Sequence, residues 1–183
     1  MVATKNILVT GANGQLGSAL KICENVNRYF KFYFKSKTEL NILDLESLIS
    51  YVNYKKINFI INCAAYTNVN LAEEEKQLAR SINVEGVDNL CKACSLNDIS
   101  LIHISSDYVF DGNKQSPYFE HDMAKPLNFY GHTKLESEMI VKSYNLKNSI
   151  IIRTSWLYSD NPNCFVKKII DKLNLNQDIE VVN

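Results

Sequence analysis

The stretch Asn6-Ile7-Leu8-Val9-Thr10-Gly11-Ala12-Asn13-Gly14-Gln15-Leu16-Gly17 leaves this chain few folds to choose from. Residues 6–10 have a continuous apolar centre and read as a short strand buried on both faces, the kind found inside parallel sheets. Three glycines follow as G-x-x-G-x-x-G, and residues 16–26 then take helical spacing. Such glycines allow a tight turn, close approach of backbone to a pyrophosphate, and close packing of helix on strand. The helix start adds free N–H groups and the positive end of a dipole. A tight strand-to-helix turn with no ligand would use the same residues. The strand before and the helix after make the run a candidate dinucleotide loop.

The rest of the chain repeats this alternation. Phe30, Phe32 and Phe34 alternate with Lys31, Tyr33 and Lys35, which predicts a second strand. A helix is expected over 43–52, with Asp44 suited to its first turn, and a third strand over 57–62. Glu73-Glu74-Glu75 opens a long helix to about Cys94, its acids matching the positive helix end. A fourth strand over 99–104 leads into a loop at 111–128 containing Pro117 and Pro126. The next helix carries Tyr130 and Lys134, with Asn128 as its N-cap. A fifth strand at 149–153, a helix at 165–173 and the start of a sixth strand at 179–182 complete the pattern. Strands joined by helical crossovers predict an α/β, doubly wound parallel sheet of Rossmann-like type. The reading is one dinucleotide-binding domain over 1–183, a fragment of a longer chain whose C-terminal substrate-binding part is absent.

Bulk properties exclude several classes. Net charge is zero and no basic block occurs, which argues against a nucleic-acid partner. No apolar run has membrane-spanning length, and the start of the chain passes from Met1 through Lys5 into the first strand without a secretory pattern. A cytoplasmic protein is expected. Cys91-Lys92-Ala93-Cys94 has redox or metal spacing, but it lies in a helical pattern with no second pair or nearby histidine. Two small apolar residues on one helix face, and no metal, are the expectation.

A tyrosine four residues before a lysine on a helix offers a proton donor beside a fixed cation. Among 10 tyrosines and 20 basic residues the spacing occurs three times, at Tyr33/Lys37, Tyr51/Lys55 and Tyr130/Lys134. The first falls on a strand and its loop, where four-residue spacing does not place side chains together. The second falls at the end of a helix that leads back to the wrong edge of the sheet, since ligands gather at the carboxyl ends of strands. Tyr130 and Lys134 remain.

Other residues converge on that edge. The end of the second strand reads Phe34-Lys35-Ser36-Lys37, with Glu39 beyond. Lysines and a serine there suit a ribose 2′-phosphate, hence NADPH, and equally suit a solvated loop. Small residues in Asn62-Cys63-Ala64-Ala65-Tyr66-Thr67 permit either cofactor approach or tight packing. Asn83, polar within a helix, is a relay, a helix-shaping residue or a solvated amide. In Ser105-Ser106-Asp107 a hydroxyl can hydrogen-bond a substrate carbonyl beside a tyrosine, or cap the loop. His103 reads as packed, and His132 lies off the Tyr130–Lys134 face.

Five motifs in order, T-G-A-N-G-Q-L-G at 10–17, N-C-A-A-Y-T at 62–67, S-S-D-Y-V-F-D-G at 105–112, Y-G-H-T-K-L-E at 130–136 and R-T-S-W-L-Y at 153–158, resemble the dTDP-4-dehydrorhamnose reductase family of extended short-chain dehydrogenase/reductases. The resemblance spans nearly the whole chain. It implies NADPH- or NADH-dependent reduction of the C4 keto group of dTDP-4-dehydro-6-deoxy-L-mannose to dTDP-L-rhamnose. By position it implies Ser106, Tyr130 and Lys134 as the catalytic triad, with Lys134 lowering the pKa of Tyr130 and holding the nicotinamide ribose. It further implies Gly11, Asn13, Gly14, Gln15, Leu16, Gly17, Asn41, Ile42, Ala64, Ala65, Tyr66 and Thr67 at the cofactor. Asp107 and Trp156, with Ser106 and Tyr130, face the dTDP-sugar substrate, and a homodimer is a possible assembly. The chain departs from the pattern at Asn41 and Asn70, where the family often has Asp. Two alternatives stay open: another sugar-nucleotide reductase or epimerase of the same fold, and a non-catalytic nucleotide-binding subunit.

Overall fold

The computed structural model describes residues 4–22, 24, 29–159, 164–175 and 177–178. Its strands are β1 (Lys5–Thr10), β2 (Phe30–Lys35), β3 (Phe59–Asn62), β4 (Ser100–Ser106) and β5 (Ile150–Thr154). All pair in parallel, in the order β2-β1-β3-β4-β5. The helices are α1 (Gln15–Ile22), α2 (Leu45–Tyr54), α3 (Lys76–Arg80), α4 (Gly86–Asn97), α5 (Phe129–Ser143) and α6 (Phe165–Asn174). The expected sixth strand at 179–182, and the expected helix end at 26, lie outside the described residues.

The chain moves from β1 outward to β2, then returns past β1 to β3 and continues to β5. Right-handed crossovers therefore send α1 to one face and α2, α4 and α5 to the other. Between β1 and β3 the direction of winding reverses, and in such sheets ligands bind in the crevice above that reversal. β1 lies inside the sheet, between β2 and β3, which explains its unbroken apolar run: Leu8 and Val9 point to opposite faces and both are fully buried. The core on the α2/α4/α5 face joins Leu8, Ile60 and Leu101 to Leu48 and Val52 of α2 and Leu90, Cys91 and Cys94 of α4. Each fully buried aliphatic of this size contributes roughly 1.5–3 kcal/mol. Burial raises the Cys91 thiol to about 12 and raises Cys94 too, so both act as apolar residues.

Two local expectations need correction. Asp44 precedes α2 as its N-cap, with its carboxylate accepting from Ser47 N–H. The acids at 73–75 do not open one continuous helix. Leu71–Glu73 is a 3₁₀ turn, α3 follows, and a π turn at Ser81–Glu85 separates α3 from α4. Their carboxylates reach across space instead. Glu73 accepts the backbone N–H of Phe129 at 2.7 Å, at the start of α5, and Glu75 accepts the Tyr66 phenol at 2.6 Å.

Two of the three catalytic candidates, Tyr130 and Lys134, sit on α5, whose buried face is polar: Thr133, Lys134, Ser137 and Glu138. Glu138 is 1% exposed and binds Arg153 of β5 through two hydrogen bonds of 2.8 and 2.7 Å. Ser105 Oγ donates to the same carboxylate at 2.6 Å. Burial alone would push this carboxyl up, but Arg153 and Ser105 outweigh it and hold it below the ordinary value. Arg153→Met would leave the buried carboxylate without its hydrogen-bonded cation, with only the exposed Lys142 ammonium at 3.8 Å, a change expected to cost about 3 kcal/mol. Urea denaturation at neutral pH checks this, and a loss under about 1 kcal/mol contradicts it. Because the folded pKa is depressed, the pair's contribution is present above the unfolded value and is lost as pH falls through the folded one.

Candidate active site

Gly11 follows β1 with φ +64°, and a Cβ there would lie 2.5 Å from Ala64 N and 2.6 Å from the Cys63 carbonyl carbon and oxygen. The turn therefore touches the end of β3 backbone to backbone, directly above the winding reversal. Gly17 packs equally tightly, with its would-be Cβ 2.5 Å from Gly11 O. Gly14 differs: only Gly11 O, at 3.2 Å, is near, and the rest is open space. Two glycines thus serve packing of the chain on itself, and one leaves room above the turn.

That room is a cleft of two cavities that share the walls Gly14, Cys63 and Ala65. The first, about 300 Å³, is lined by Gly11, Asn13, Asn41, Ile42 and Ala64 of the expected set, together with Ser36, Lys37, Thr38, Leu40 and Ile82. The second, about 420 Å³, is lined by Gln15, Leu16, Thr67, Ser106, Asp107, Tyr130, Lys134 and Trp156. One continuous groove therefore runs from the end of β2, over the glycine turn, to the end of β4. Gln15 Nε2 is buried in it without a hydrogen-bond partner, so its N–H groups face a place where a ligand acceptor would satisfy them. Gly17 and Tyr66 do not line the groove. The Tyr66 ring packs against Ala72, Ala79 and Tyr130, and its phenol is pushed up to about 12, chiefly by donating to Glu75.

At the β2 end, Glu39 turns away from the groove. It accepts the Ser36 N–H and hydroxyl at 2.9 and 2.7 Å, which lowers its carboxyl to about 2. Lys35 pairs with Glu39 and lies over the Tyr51 ring, so of the two loop lysines only Lys37 lines the cavity. The rival pairs are excluded as expected: Tyr33 is on β2, and Lys55 caps the C-terminal end of α2.

Ser106 ends β4; its hydroxyl donates to Asp107 at 3.0 Å and accepts from Tyr108 N–H at 3.2 Å. Tyr130 is 8% exposed, its ring edge-on to Tyr108 at 5.6 Å. Lys134 is 2% exposed, and its ammonium donates to Ile104 O at 2.7 Å. Burial lowers the lysine to about 8, against the pull of Glu138. The expected lowering of Tyr130 by Lys134 is not what the structure shows. Burial raises the phenol, the Ser106 hydroxyl pulls it down, and Asp107 and Tyr108 push it up again, leaving it above its ordinary value. Lys134 directs its charge at the strand backbone, so Tyr130 stays a protonated phenol.

Buried contacts hold this helix in place. Asn128 caps α5 by accepting Gly131 N–H at 2.8 Å. Asn83, in the π turn, is neither solvated nor at the reacting face. It bonds Tyr66 N and O and donates to Thr133 Oγ1 at 2.9 Å, tying the β3 loop to α5. His103 is packed, as expected, between Asn62 and Ser137. His132 is exposed. Trp156 is 73% exposed, with φ +50° and its ring against Phe165. Sequence reasoning missed Ser137, Glu138 and Arg153 as anchors, and Ile82 as a wall. Among the described residues, no His, Cys, Asp and Glu group is placed to hold a metal, and no helix is long and apolar enough to cross a membrane.

Strand order and site together are those of the Rossmann-like, short-chain dehydrogenase/reductase class. Residues 5–183 match the family described as the RmlD substrate binding domain. The chain is 40% identical over 173 residues to dTDP-4-dehydrorhamnose reductase of Aggregatibacter actinomycetemcomitans, covering 94% of this chain and 58% of that one. It is 34% identical to the Escherichia coli protein of the same name, over 97% of this chain and 60% of that one. A crystal structure of dTDP-4-dehydrorhamnose reductase from Bacillus anthracis in complex with NADP superposes with a TM-score of 0.90 at 37% identity, over 96% of this chain and 62% of that one. The chain belongs to the RmlD substrate binding domain family, and it spans about three-fifths of the length of these relatives.

The contrast between the glycines is testable. Gly11→Ala combines a positive φ with a backbone collision and should cost about 3 kcal/mol or more. Gly14→Ala should change stability by less than about 1 kcal/mol. Equal losses in the two variants, read by thermal unfolding, would contradict the division of roles.

Proposed function

We propose that this chain is the cofactor-binding and proton-donating part of a reductase that converts dTDP-4-dehydrorhamnose to dTDP-L-rhamnose with NADPH or NADH. The observation that carries the reading is the continuous groove from the glycine turn to Ser106, Tyr130 and Lys134. The residues present fit a dinucleotide. Gly14 leaves space for a pyrophosphate at the start of α1, and Gln15 has an unused buried donor there. Asn13 and Leu16 flank the same turn, Asn41, Ile42, Ala64 and Ala65 wall the adenosine end, and Thr67 lies nearer the reacting end. Lys37 beside Ser36 and Thr38 suits a 2′-phosphate, while the one nearby acid, Glu39, is committed elsewhere. The similarity to a reductase solved with NADP agrees with NADPH.

The groove residues would hold a reduced nicotinamide dinucleotide, which would supply the hydride for the C4 carbonyl carbon. Tyr130 donates its proton to the carbonyl oxygen, and its raised pKa keeps that proton available at neutral pH. Ser106 hydrogen-bonds the same oxygen as negative charge develops, in a site where such donors act strongly. Lys134 would hold the nicotinamide ribose, and it keeps a positive charge behind Tyr130. Asp107 and Trp156 face the sugar nucleotide.

The test is NADPH oxidation by the full-length protein offered the ketosugar. Tyr130→Phe removes the proton and keeps the ring, so kcat should fall by at least about 10²-fold while NADPH affinity stays within a few-fold. Retention of wild-type turnover removes Tyr130 from the mechanism. A wild-type protein that binds NADPH without oxidising it favours the non-catalytic alternative.

A further inference from the structure

His103 is fully buried on β4 and takes no part in the proton transfer above, yet its neighbours fix its hydrogens as well as its position. Asn62 Oδ1 faces two donors, Thr10 Oγ1 at 2.7 Å and Ala64 N–H at 3.1 Å. A backbone N–H only donates, so the atom facing it is the amide oxygen, and the amide nitrogen faces His103 Nδ1 at 3.2 Å. Nδ1 therefore carries a lone pair. The opposite side gives the same answer independently. Ser137 Oγ lies 2.6 Å from the Lys134 carbonyl oxygen, which only accepts, so the one serine hydrogen goes there. Ser137 can then only accept from His103 Nε2, 3.0 Å away, and Nε2 carries the hydrogen.

We propose that Asn62, His103 and Ser137 form a hydrogen-bond relay of fixed direction that ties the dinucleotide loop to Lys134, with His103 as a positioning residue held in its neutral Nε2–H tautomer. One end of the relay reaches Thr10, beside Gly11, and Ala64, a wall of the cofactor groove. The other end reaches the Lys134 carbonyl. Ile104, the residue after His103, binds the Lys134 ammonium. Two adjacent residues of β4 thus hold the two ends of one lysine, one through Ser137 and one directly.

The arrangement rejects a second proton on His103. Nδ1–H would point at the Asn62 NH₂, and the new charge would stand near the Lys134 ammonium. The buried acid of α5, Glu138, is already bonded to Arg153 and Ser105 and paired with Lys142. Burial and the Lys134 charge both hold the ring well below its ordinary pKa. The effect of the relay on cofactor binding rests on the proposed function; the tautomer does not.

Histidine-selective ¹⁵N NMR of the full-length protein tests the relay directly. The chain has 3 histidines, and the other two, His121 and His132, are exposed, so the buried ring is assigned by its loss in a His103 variant. His103 should show a protonated Nε2 and a bare Nδ1, unchanged between about pH 5 and 8. An Nδ1–H tautomer, or protonation in that window, overturns the proposal. Two variants test the positioning role through NADPH titration. His103→Phe leaves the Asn62 amide nitrogen without its acceptor and the Ser137 oxygen without the Nε2 donor, though Ser137 still donates to the Lys134 carbonyl, and should weaken NADPH binding roughly tenfold. His103→Gln keeps one acceptor and one donor and should restore affinity to within about threefold. A purely structural role would lower thermal stability in His103→Phe yet leave NADPH affinity of the folded protein unchanged, which would also overturn the proposal. If the phenylalanine variant does not fold, the tautomer measurement alone decides. If the wild-type protein does not bind NADPH, the functional reading fails and the same measurement still judges the relay.

Discussion

The burial of a charged lysine at the end of β4 is the constraint on which the rest of this structure depends. An ammonium removed from water is costly unless it is hydrogen-bonded, and its pKa falls when burial dominates. Lys134 shows both effects: one bond to the Ile104 carbonyl and a pKa near 8. The helix that carries it must then be fixed from several sides, because a small shift would strand the charge. Asn83 on Thr133, His103 on Ser137, Ser105 with Arg153 on Glu138, and Glu73 on the first N–H of α5 supply that fixing. Four different elements converge on one helix face, and each contributes a polar group.

The same economy explains the other half of the groove. The glycine turn meets the end of β3 at contact distances that exclude any side chain at Gly11. This brings Cys63 and Ala65 beside Gly14, the three walls that the two cavities share. Asn62 bridges the two strand ends by accepting from Thr10 and Ala64 at once. The glycine turn and α5 are therefore parts of one hydrogen-bonded framework, and the second cavity is open where the exposed Trp156 lines it.

What the sequence made legible was local. The apolar run before the glycines, the alternation of Phe30 to Lys35 and the cap at Asn128 are each decided within a few residues, and each formed as expected. Tyr130 and Lys134 could be chosen over their rivals because strand order alone excludes Tyr33/Lys37 and Tyr51/Lys55. The anchors of α5 were not legible, because a helix whose buried face carries Thr133, Ser137 and Glu138 shows no apolar stripe. The π turn and the reach of Glu73 and Glu75 depend on partners more than eight residues away, so reading the acids as dipole partners missed their role. The pKa of Tyr130 was misjudged for a related reason: spacing places the lysine nearby, but only the fold shows that burial outweighs it.

Direct titration of Lys134 tests this account most sharply. Selective labelling of lysine side chains in the ligand-free, full-length protein would report the ammonium by NMR, with a Lys134→Met sample for assignment. The account predicts an ammonium that loses its proton near pH 8, with folding stability rising from there towards the ordinary lysine range, because the unfolded chain then binds more protons than the folded one. A Lys134 that titrates with the surface lysines, at about 10.4, would show that its charge is not buried and would contradict the arrangement described for the whole of α5.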